Sequence, residues 1–228
     1  MSILCTICMR GGSKGLKNKA IKKINKKPLF YYTLNTAKKT KLFDKIVIST
    51  DSNKIIQECE KYKQNIFFKR PASIAKDYTP KIEVIRDLLK RSENYYNKKF
   101  STIIDLDITS PLRNISDVIN AYKLFIRSKS DNLFSVTNSK KNPYFNVVEY
   151  KENRIKLIKK NKVIIARQKA PKVYDMNASI YIWKRNILLN KNSLFLKNTS
   201  IYKMPEERSI DIDSLFDFKI VKFLIESN

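Results

Sequence analysis

The sequence predicts an α/β fold with a mostly parallel sheet and helices on both faces. Short β-branched runs alternate with longer amphipathic segments over the first two thirds of the chain, a pattern typical of parallel sheets with crossover helices. The first run, residues 3–8, contains no charged residue, as expected of a strand that is buried on both faces. Ligands bind such sheets beyond the carboxyl ends of the strands, so we expect the functional site there.

The individual elements follow in order along the chain. Residues 3–8 indicate the first strand, and residues 29–39 indicate a helix that begins behind Pro28, since proline is favoured near a helix start. The further predicted strands are 45–49, 65–68, 102–106, 133–137 and 178–183, and the further predicted helices are 53–63, 81–91, 116–127 and 215–226.

Residues 142–173 have a different pattern, with short alternating runs at 145–150 and 154–157 between lysine-rich polar segments. This pattern predicts an antiparallel insertion that projects from the sheet and meets a second subunit. We therefore expect one domain over residues 1–228, with an insertion at about 140–175 that serves dimerisation.

The absence of histidine excludes several kinds of chemistry. The chain has no histidine, so Ser-His-Asp and Cys-His nucleophile systems, HExxH-type zinc sites and imidazole general bases are ruled out. Any catalysis must use carboxylates, lysines, arginines, hydroxyls or a hard metal ion with oxygen ligands.

The charge of the chain suggests anionic ligands. Lys and Arg number 47 against 21 Asp and Glu, a net charge of +26, but the lysines are spread along the whole chain. A polyanion- or RNA-binding module is the alternative that this charge supports. We expect no nucleic-acid partner, because an RNA groove would gather the basic residues on one surface and interleave them with aromatic residues.

The chain shows no signal for a membrane or an oxidising compartment. No run approaches the roughly 20 apolar residues of a membrane span, and the apolar start is too short for a secretory signal and lacks a basic leader. We therefore expect a cytoplasmic protein with no membrane partner and with its three cysteines unpaired.

The strongest local signal is the loop Arg10-Gly11-Gly12-Ser13-Lys14-Gly15 directly after the first strand. Average usage would give about 16 glycines, yet the chain has 3, all in this loop. Glycine is favoured where the backbone adopts unusual dihedrals or approaches a ligand closely, and exposed amides bind phosphate. Together with the positive charge of Arg10, Lys14 and Lys19, this loop sequence predicts a site that binds a triphosphate. The alternative is a tight turn with solvated basic residues.

Two aspartate pairs suggest a hard cation. Asp211 and Asp213 are two residues apart, so in an extended segment both carboxylates face the same way. They can share one cation, or they can be surface residues at the start of the last helix, with Asp213 or Ser214 as its N-cap. Asp105 and Asp107 repeat this spacing at a strand end. Magnesium suits such an oxygen-only ligand set better than zinc does.

Residues 5–15 followed by Pro28-Leu29 resemble the opening of the CMP-sialic acid synthetases, the acylneuraminate cytidylyltransferases. The opening and residues 175–177 are most similar to the branch that activates legionaminic or related nonulosonic acids. Further segments resemble the later family blocks, in order: Ile48-Ser49-Thr50-Asp51, Arg70-Pro71-Ala72, Thr109-Ser110-Pro111-Leu112-Arg113, Asn177-Ala178-Ser179-Ile180-Tyr181 and Ser209-Ile210-Asp211-Ile212-Asp213.

The resemblance implies a nucleotide-diphospho-sugar transferase-like fold and a homodimer. It also implies attack by the anomeric hydroxyl of a nonulosonic acid on the α-phosphorus of CTP, with Mg²⁺ as cofactor and pyrophosphate leaving. No covalent intermediate is needed, because positioning and charge neutralisation catalyse such transfers.

The resemblance also assigns residues to roles. The implied catalytic residues are Arg10, Lys14 and Lys19; the nucleotide ligands are Gly11, Gly12, Ser13, Gly15, Arg70 and Asp77; the acceptor ligands are Asp107, Arg167, Gln168, Asn177 and Tyr181; and the metal ligands are Asp211 and Asp213. Arg167 would be a fork for the sugar carboxylate.

Some of these residues have plainer alternatives. Arg70 can be a solvated residue before a proline turn, and Tyr181 can be ordinary core. Asp105 is expected to face the other substrate, and Arg113 to anchor its own loop.

The opening segment departs from the family pattern at one position. Lys19 aligns with the family lysine, but Ala20 stands where an asparagine is usual, unless a shift brings Lys17 and Asn18 into these places. A non-catalytic dimeric scaffold is therefore a further alternative. A CMP-Kdo-type cytidylyltransferase is another, although the Kdo enzymes have an arginine-rich opening.

Overall fold

The protein was examined as a computed structural model that describes residues 2–12, 15–64, 66, 69–159 and 169–227. The strands are β1 (Ile3–Cys8), β2 (Lys23–Ile24), β3 (Lys27–Pro28), β4 (Lys45–Ser49), β5 (Thr102–Leu106), β6 (Asn132–Asn138), β7 (Val148–Lys151), β8 (Arg154–Leu157), β9 (Tyr174–Lys184) and β10 (Thr199–Lys203). The α-helices are α1 (Leu29–Thr40), α2 (Asn53–Glu60), α3 (Lys81–Tyr96), α4 (Ile115–Ser128), α5 (Arg185–Asn190) and α6 (Leu215–Glu226).

The central sheet has six strands in the order β10-β6-β9-β5-β1-β4. β1 pairs in parallel with β4 and β5, and β10 pairs in parallel with β6. β9 lies between β5 and β6 and is antiparallel to both. Five of the six strands therefore run in one direction, which confirms the predicted mostly parallel sheet.

Both faces of the sheet are covered, which explains why the inner strands alternate little between apolar and polar residues. Cys5 and Ile7 of β1 pack with α1, α2 and α4 on one face, whereas Leu4 packs with α3 and α5 on the other. A third apolar cluster joins α6 to β2 through Ile24, Phe218 and Val221. Within the described ranges, every helix falls short of the length and apolarity that a bilayer crossing needs.

Local sequence sets several of the helix boundaries. Pro28 and Pro80 stand directly before α1 and α3. α4 and α6 each begin with a capping box, formed by Asn114 with Asp117 and by Ser214 with Asp217. Ser214 is thus the N-cap of α6, which leaves the preceding Asp213 carboxylate available for another partner.

The predicted insertion contains a two-stranded antiparallel hairpin. β7 pairs with β8, and Tyr150 and Ile155 on it are 72% and 65% exposed. Beyond the hairpin, the Lys159 amide donates to the Pro143 carbonyl at 3.0 Å. Residues 160–168 of the same region lie outside the described residues.

Several predicted boundaries are wrong or incomplete. The helix predicted to end at residue 63 ends at Glu60, and the helix predicted to end at residue 91 continues to Tyr96. β10 and α5 were not predicted. Of the strand predicted at 65–68, only Ile66 is described, and it is not in a strand.

Candidate active site

The candidate site lies at the carboxyl ends of β1, β4 and β5. The Met9 amide donates to the Ser49 carbonyl at 2.8 Å, and the Arg70 amide donates to the Thr50 carbonyl at 2.8 Å. Two recesses open here, of about 200 Å³ and about 120 Å³. Arg70, Asp77 and Lys81 belong to the lining of the first recess, Lys19 and Thr109 to that of the second, and Cys8, Arg10 and Asp107 line both.

The glycines allow close packing of the loop against its neighbours. None of the three has a positive φ, so the expected unusual dihedrals are not observed. A Cβ on Gly11 would stand 2.9 Å from the Ser52 Cβ, and one on Gly15 would collide with the Asp213 carbonyl oxygen. Gly12 has open space around it. Two of the three glycines are therefore required by contacts within the protein.

The start of the loop is fixed by the segment that follows β4. The Gly11 amide donates to Asp51 Oδ1 at 2.9 Å, so Asp51, in the second family-like block, holds the first glycine. Ser13 and Lys14 lie outside the described residues, and their assigned roles stay predictions.

Arg10 and Asp77 contact each other in the lining of the first recess. The Arg10 guanidinium forms an ion pair with the Asp77 carboxylate, although the two residues come from different loops. The structure thus places one predicted catalytic residue and one predicted nucleotide ligand at the same wall.

Arg70 is buried and holds two strand ends together. Its Nε donates to Ser49 Oγ at 2.9 Å, and its Nη2 donates to the carbonyls of Ser49 at 3.0 Å and Met9 at 3.3 Å. The alternative of a solvated arginine is wrong. Arg70 lines the first recess while it fixes the ends of β1 and β4.

Lys19 reaches the C-terminal aspartate pair. Its Nζ donates to Asp213 Oδ1 at 3.1 Å and also to the Ile212 carbonyl. Lys17 is exposed and Ala20 is buried, so this geometry favours the gapless alignment, in which Lys19 is the family lysine.

Asp211 lies among other carboxylates. Burial raises its pKa to about 6; a hydrogen bond from Thr109 opposes this shift, and the nearby Asp107 and Asp213 charges add to it. Its Oδ1 atom is buried and has no hydrogen-bond partner among the described residues. A buried acceptor of this kind, beside two other carboxylates, is available to a cation.

Asp107 is held from two sides at the wall that the two recesses share. Its Oδ2 lies 2.6 Å from Lys81 Nζ, and its Oδ1 accepts from the Thr109 amide at 3.1 Å and from Thr109 Oγ1 at 3.0 Å. Burial works against ionisation, but Lys81 and Thr109 lower the pKa of Asp107 below its usual value.

Asp105 does not face a substrate, and that expectation is wrong. It is fully buried, accepts from Thr6 Oγ1 at 2.7 Å and pairs with Lys81 Nζ at 2.8 Å. Arg113 anchors its loop as expected, because it is buried and donates to the Ser179 carbonyl at 2.8 Å and to Thr33 Oγ1 at 2.9 Å.

The predicted acceptor ligands do not form one group. Asn177 is buried, with Oδ1 accepting from Ser135 at 2.7 Å and Nδ2 donating to Ser209 Oγ at 3.0 Å. Its amide joins β9 to β6 and to the loop after β10, so this geometry does not support contact with a substrate. Arg167 and Gln168 lie outside the described residues.

Tyr181 is buried core that also borders the site. Its ring stacks on Trp183 with centroids 5.8 Å apart, and Lys81 Nζ lies 4.5 Å from its centroid. Burial raises the pKa of Tyr181 above its usual value. Both descriptions of Tyr181, core residue and site residue, therefore fit the structure.

The match to a known family decides what this arrangement belongs to. The cytidylyltransferase family profile matches residues 4–224, nearly the whole chain. The chain belongs to the cytidylyltransferase family. The resemblance inferred from the opening loop and the later blocks is thereby confirmed.

Two relatives are similar to this cytidylyltransferase over nearly its whole length. A CMP-N,N'-diacetyllegionaminic acid synthase from Campylobacter jejuni is 50% identical over 223 residues, covering 98% of this chain and 94% of that protein. A post-translational flagellin modification protein B from Campylobacter coli is 49% identical over 224 residues, covering 98% and 95%.

The solved structure shares the fold. A CMP:2-keto-3-deoxy-manno-octonic acid synthetase complexed with CTP superposes with a TM-score of 0.74 and covers 100% of this chain and 99% of that one. Its identity to this cytidylyltransferase is 13%, so the likeness shows the architecture alone.

The donor atoms of the cytidylyltransferase site fit magnesium. Asp211 and Asp213 offer carboxylate oxygens, and Asp211 Oδ1 is unpartnered among the described residues. No group of three His, Cys, Asp or Glu residues suited to a metal occurs in the part of the chain that the structure describes. Proteins can hold Mg²⁺ through one or two carboxylates, while substrate phosphates and water complete its shell.

Lys81 is the site residue that sequence reasoning missed. It occupies the first position of α3, where the helix dipole disfavours a cation. Burial opposes its charge, but the Asp105 and Asp107 carboxylates outweigh this and raise the pKa of Lys81 well above its usual value. A lysine directly after a proline at a predicted helix start was the available signal.

Proposed function

We propose that this cytidylyltransferase joins CMP from CTP to the anomeric hydroxyl of a legionaminic-acid-type nonulosonic acid and releases pyrophosphate. The main support is that Lys19 and Asp107 line the second recess while Asp213 contacts Lys19 and Asp211 lies near Asp107 and Asp213. These residues occur in a chain that is half identical to a CMP-N,N'-diacetyllegionaminic acid synthase. A reaction of this type needs positioned charge and no histidine.

The first recess is proposed for the nucleotide. Arg10, Arg70 and Lys76 contribute positive charge to its lining, and the loop that begins with Gly11 follows Arg10 directly in the chain. Open space beside Gly12 leaves room for a phosphate group to approach the backbone. Lys14 and Ser13 are proposed to complete this phosphate site, on the strength of the loop sequence.

Asp211 and Asp213 are proposed to hold Mg²⁺. When bound, Mg²⁺ would neutralise charge on the triphosphate and so favour departure of pyrophosphate. Lys19 supplies a further positive charge beside Asp213. The Asp211 and Asp213 carboxylates and the Lys19 ammonium thus form one charged wall for the phosphates.

The acceptor is proposed to be a nonulosonic acid of the legionaminic type. The 50% identity to the legionaminic acid synthase supports this class, whereas the CMP-Kdo alternative rests on a 13% identical structure. Asp107 is proposed to accept a hydrogen bond from a sugar hydroxyl, and Arg167 and Gln168 to bind the sugar carboxylate. Tyr181 borders this place, behind Lys81.

We further propose that the enzyme is a homodimer that pairs through the insertion and the neighbouring sheet edge. A cavity of about 710 Å³ opens there, lined by Phe134, Tyr174, Met176, Phe195 and Ile201, among others. Phe195 is 72% exposed, and the β7–β8 hairpin presents Tyr150 and Ile155 to solvent. Exposed apolar groups this numerous are typical of a protein interface.

The dimer is tested by sedimentation velocity. The wild type is expected to sediment as a dimer, and Ile155→Lys as a monomer or a much weaker dimer, because a charge in an apolar interface costs several kcal/mol. Lys90→Glu is the control, because Lys90 lies on α3 and not on the β7–β8 hairpin. A monomeric wild type at micromolar concentration would remove the proposal.

We also propose a cytoplasmic location. Cys5, Cys8 and Cys59 are unpaired, and burial raises the pKa of the Cys5 thiol well above its usual value. Free thiols are typical of a reducing compartment.

The activity is tested by pyrophosphate release with CTP and magnesium against legionaminic, pseudaminic, N-acetylneuraminic and Kdo acids. Turnover is expected to be fastest with a legionaminic acid and absent without acceptor. Preference for Kdo would contradict the acceptor assignment. No turnover, combined with tight and strongly salt-dependent retention on RNA, would favour the polyanion-binding alternative.

A further inference from the structure

Lys81 stands at the centre of a partly buried charge cluster that links α3, β5 and β9. Its Nζ lies 2.8 Å from Asp105 Oδ2 and 2.6 Å from Asp107 Oδ2, and Tyr181 of β9 covers it at 4.5 Å. At the first position of a 16-residue helix, this ammonium opposes the helix dipole. The two carboxylates offset that cost, so the position of Lys81 is set by its acidic partners.

Asp105 is the fixed end of this cluster. It is fully buried in the middle of the sheet, and Thr6 Oγ1 of the neighbouring strand donates to its Oδ1 at 2.7 Å. Its other oxygen pairs with Lys81. Thr6 therefore fixes the Asp105 carboxylate, and Asp105 in turn fixes the Lys81 ammonium.

Asp107 is the end of the cluster that reaches the site. Lys81 holds Oδ2, while Thr109 holds Oδ1 through its amide and its hydroxyl. The Asp107 backbone carbonyl accepts from Thr33 Oγ1 at 3.0 Å and from Arg113 Nη2 at 3.1 Å. The backbone is thus fixed separately, and Lys81 and Thr109 together determine where the carboxylate points.

Because two carboxylates neutralise it, the Lys81 ammonium is poorly suited to be a phosphate ligand. Arg10, which lines both recesses and pairs with a single carboxylate, and Lys19 at the second recess are better placed for that. What Lys81 does contact is Asp107, whose carboxylate lines both recesses.

We propose that Lys81 is a positioning residue for CMP transfer, which fixes the Asp107 carboxylate at the wall shared by the two recesses. The proposal rests on the proposed function insofar as the transfer is what Asp107 serves. Lys81 acts through Asp107, and Asp105 holds Lys81 for this purpose.

The kinetic test compares Lys81→Met, Lys81→Arg, Asp107→Asn and the double variant Lys81→Met/Asp107→Asn with the wild type. We expect Lys81→Met to lower kcat by about 10–100-fold while KM for CTP changes less than about threefold, because misplacing a group near the reacting atoms costs about this much. Lys81→Arg is expected to restore part of kcat, since it keeps the charge.

The double variant separates a positioning role from an independent one. If Lys81 acts through Asp107, the double variant has the same kcat as Asp107→Asn alone. Additive losses would show an independent role and overturn the proposal. Lys90→Met, an exposed lysine on the same helix, is the matched control and is expected to keep wild-type kcat.

A structural test does not depend on turnover. In a crystal structure of Lys81→Met, the Asp107 carboxylate is expected to rotate away from its wild-type position or to occupy two. An unmoved Asp107 would overturn the proposal whatever the reaction. If the wild type shows no turnover with CTP, the proposed function fails, and this crystal structure still decides the role of Lys81.

Discussion

Lys19 and Asp213 are 194 positions apart in the chain, and Lys19 Nζ donates a hydrogen bond to Asp213 Oδ1 at 3.1 Å. The lysine side chain is 11% exposed and the aspartate side chain 80% exposed, so the ammonium is fixed inside while the carboxylate faces solvent. The contact joins the loop after β1 to the segment before α6. It brings a residue predicted to be catalytic beside a residue predicted to bind metal.

Lys19→Ala is expected to reduce pyrophosphate release by at least about 100-fold, since a fixed charge near the phosphates is lost. The melting temperature should change little, because an ion pair with an exposed carboxylate is worth about 0–1 kcal/mol. Lys17→Ala, two residues earlier and exposed, is the control and should retain activity. If Lys17→Ala were inactive and Lys19→Ala active, the shifted alignment would be the correct one.

Asp211→Asn and Asp213→Asn are each expected to lower magnesium-dependent activity by about 100-fold or more, because Mg²⁺ loses a charged ligand. Titration calorimetry of Mg²⁺ with a non-hydrolysable CTP analogue present should show weaker binding in both variants. Asp217→Asn changes the capping box instead and should lower stability by about 1 kcal/mol without abolishing magnesium binding. Full activity in both Asp211→Asn and Asp213→Asn would end the metal assignment.

The pKa of Asp211, about 6, predicts opposite effects of acid on activity and stability. Below about pH 6 the carboxyl binds a proton, and magnesium affinity should fall about tenfold per pH unit. Because the folded-state pKa lies above the unfolded value of about 3.9, the folded state binds more protons between these values, so this group adds stability as the pH falls through that window.

Thermal melts between pH 4 and pH 7 check the stability part. Asp211→Asn removes the titrating group, so its melting temperature should lack the Asp211 contribution to the pH slope in this range. An identical slope in the wild type and the variant would contradict the raised pKa.

Glu93→Gln is expected to destabilise the fold by about 3 kcal/mol, because it disrupts a mostly buried ion pair. The Glu93 carboxylate is 3% exposed and accepts from Arg185 Nε at 2.7 Å and Nη2 at 2.8 Å. Burial works against ionisation, but Arg185 and the Phe100 amide lower the pKa of Glu93. The stabilisation that ionised Glu93 gives the fold is therefore complete above the unfolded-state pKa of about 4.3. It is lost as the pH falls through the lower folded-state pKa.

Urea unfolding at pH 7 and at pH 3.5 measures this effect. The difference between the wild type and Glu93→Gln should shrink at the lower pH. Glu83→Gln removes the same charge from an exposed position on the same helix and should cost less than about 1 kcal/mol.

Gly15→Ala and Gly12→Ala are expected to differ. At Gly15 a methyl group would collide with the Asp213 carbonyl, so this variant should lose both thermal stability and activity. A Cβ on Gly12 would have no described atom within 4 Å apart from its chain neighbours, so the melting temperature should stay near the wild-type value. If a triphosphate approaches the backbone there, CTP affinity falls nonetheless. Unchanged CTP affinity in Gly12→Ala would argue against a phosphate site at this glycine.

Local pattern was enough for the buried strands. Residues 45–49 and 102–106 were predicted with the observed boundaries, because each contains consecutive β-branched residues, 46–48 and 102–104, which favour a strand wherever it lies in the fold. β10 was missed, because its five residues are half or fully exposed and carry no period that distinguishes a strand from a loop. The antiparallel direction of β9 could not be predicted from its own residues, because strand pairing depends on the fold of the whole chain.

The sequence by itself determined the fold class and the family, and it predicted a site after β1 with Arg10, Lys19, Arg70, Asp77 and Asp107 among its residues. These inferences follow from local periodicity and from residues close together in the chain. Only the tertiary structure decided that Lys81 joins Asp105 to Asp107, that Asn177 is occupied inside the sheet, and that Gly15 is required by Asp213. These relationships depend on how helices and loops pack on the sheet. Contacts between residues far apart in sequence leave no local pattern from which to predict them.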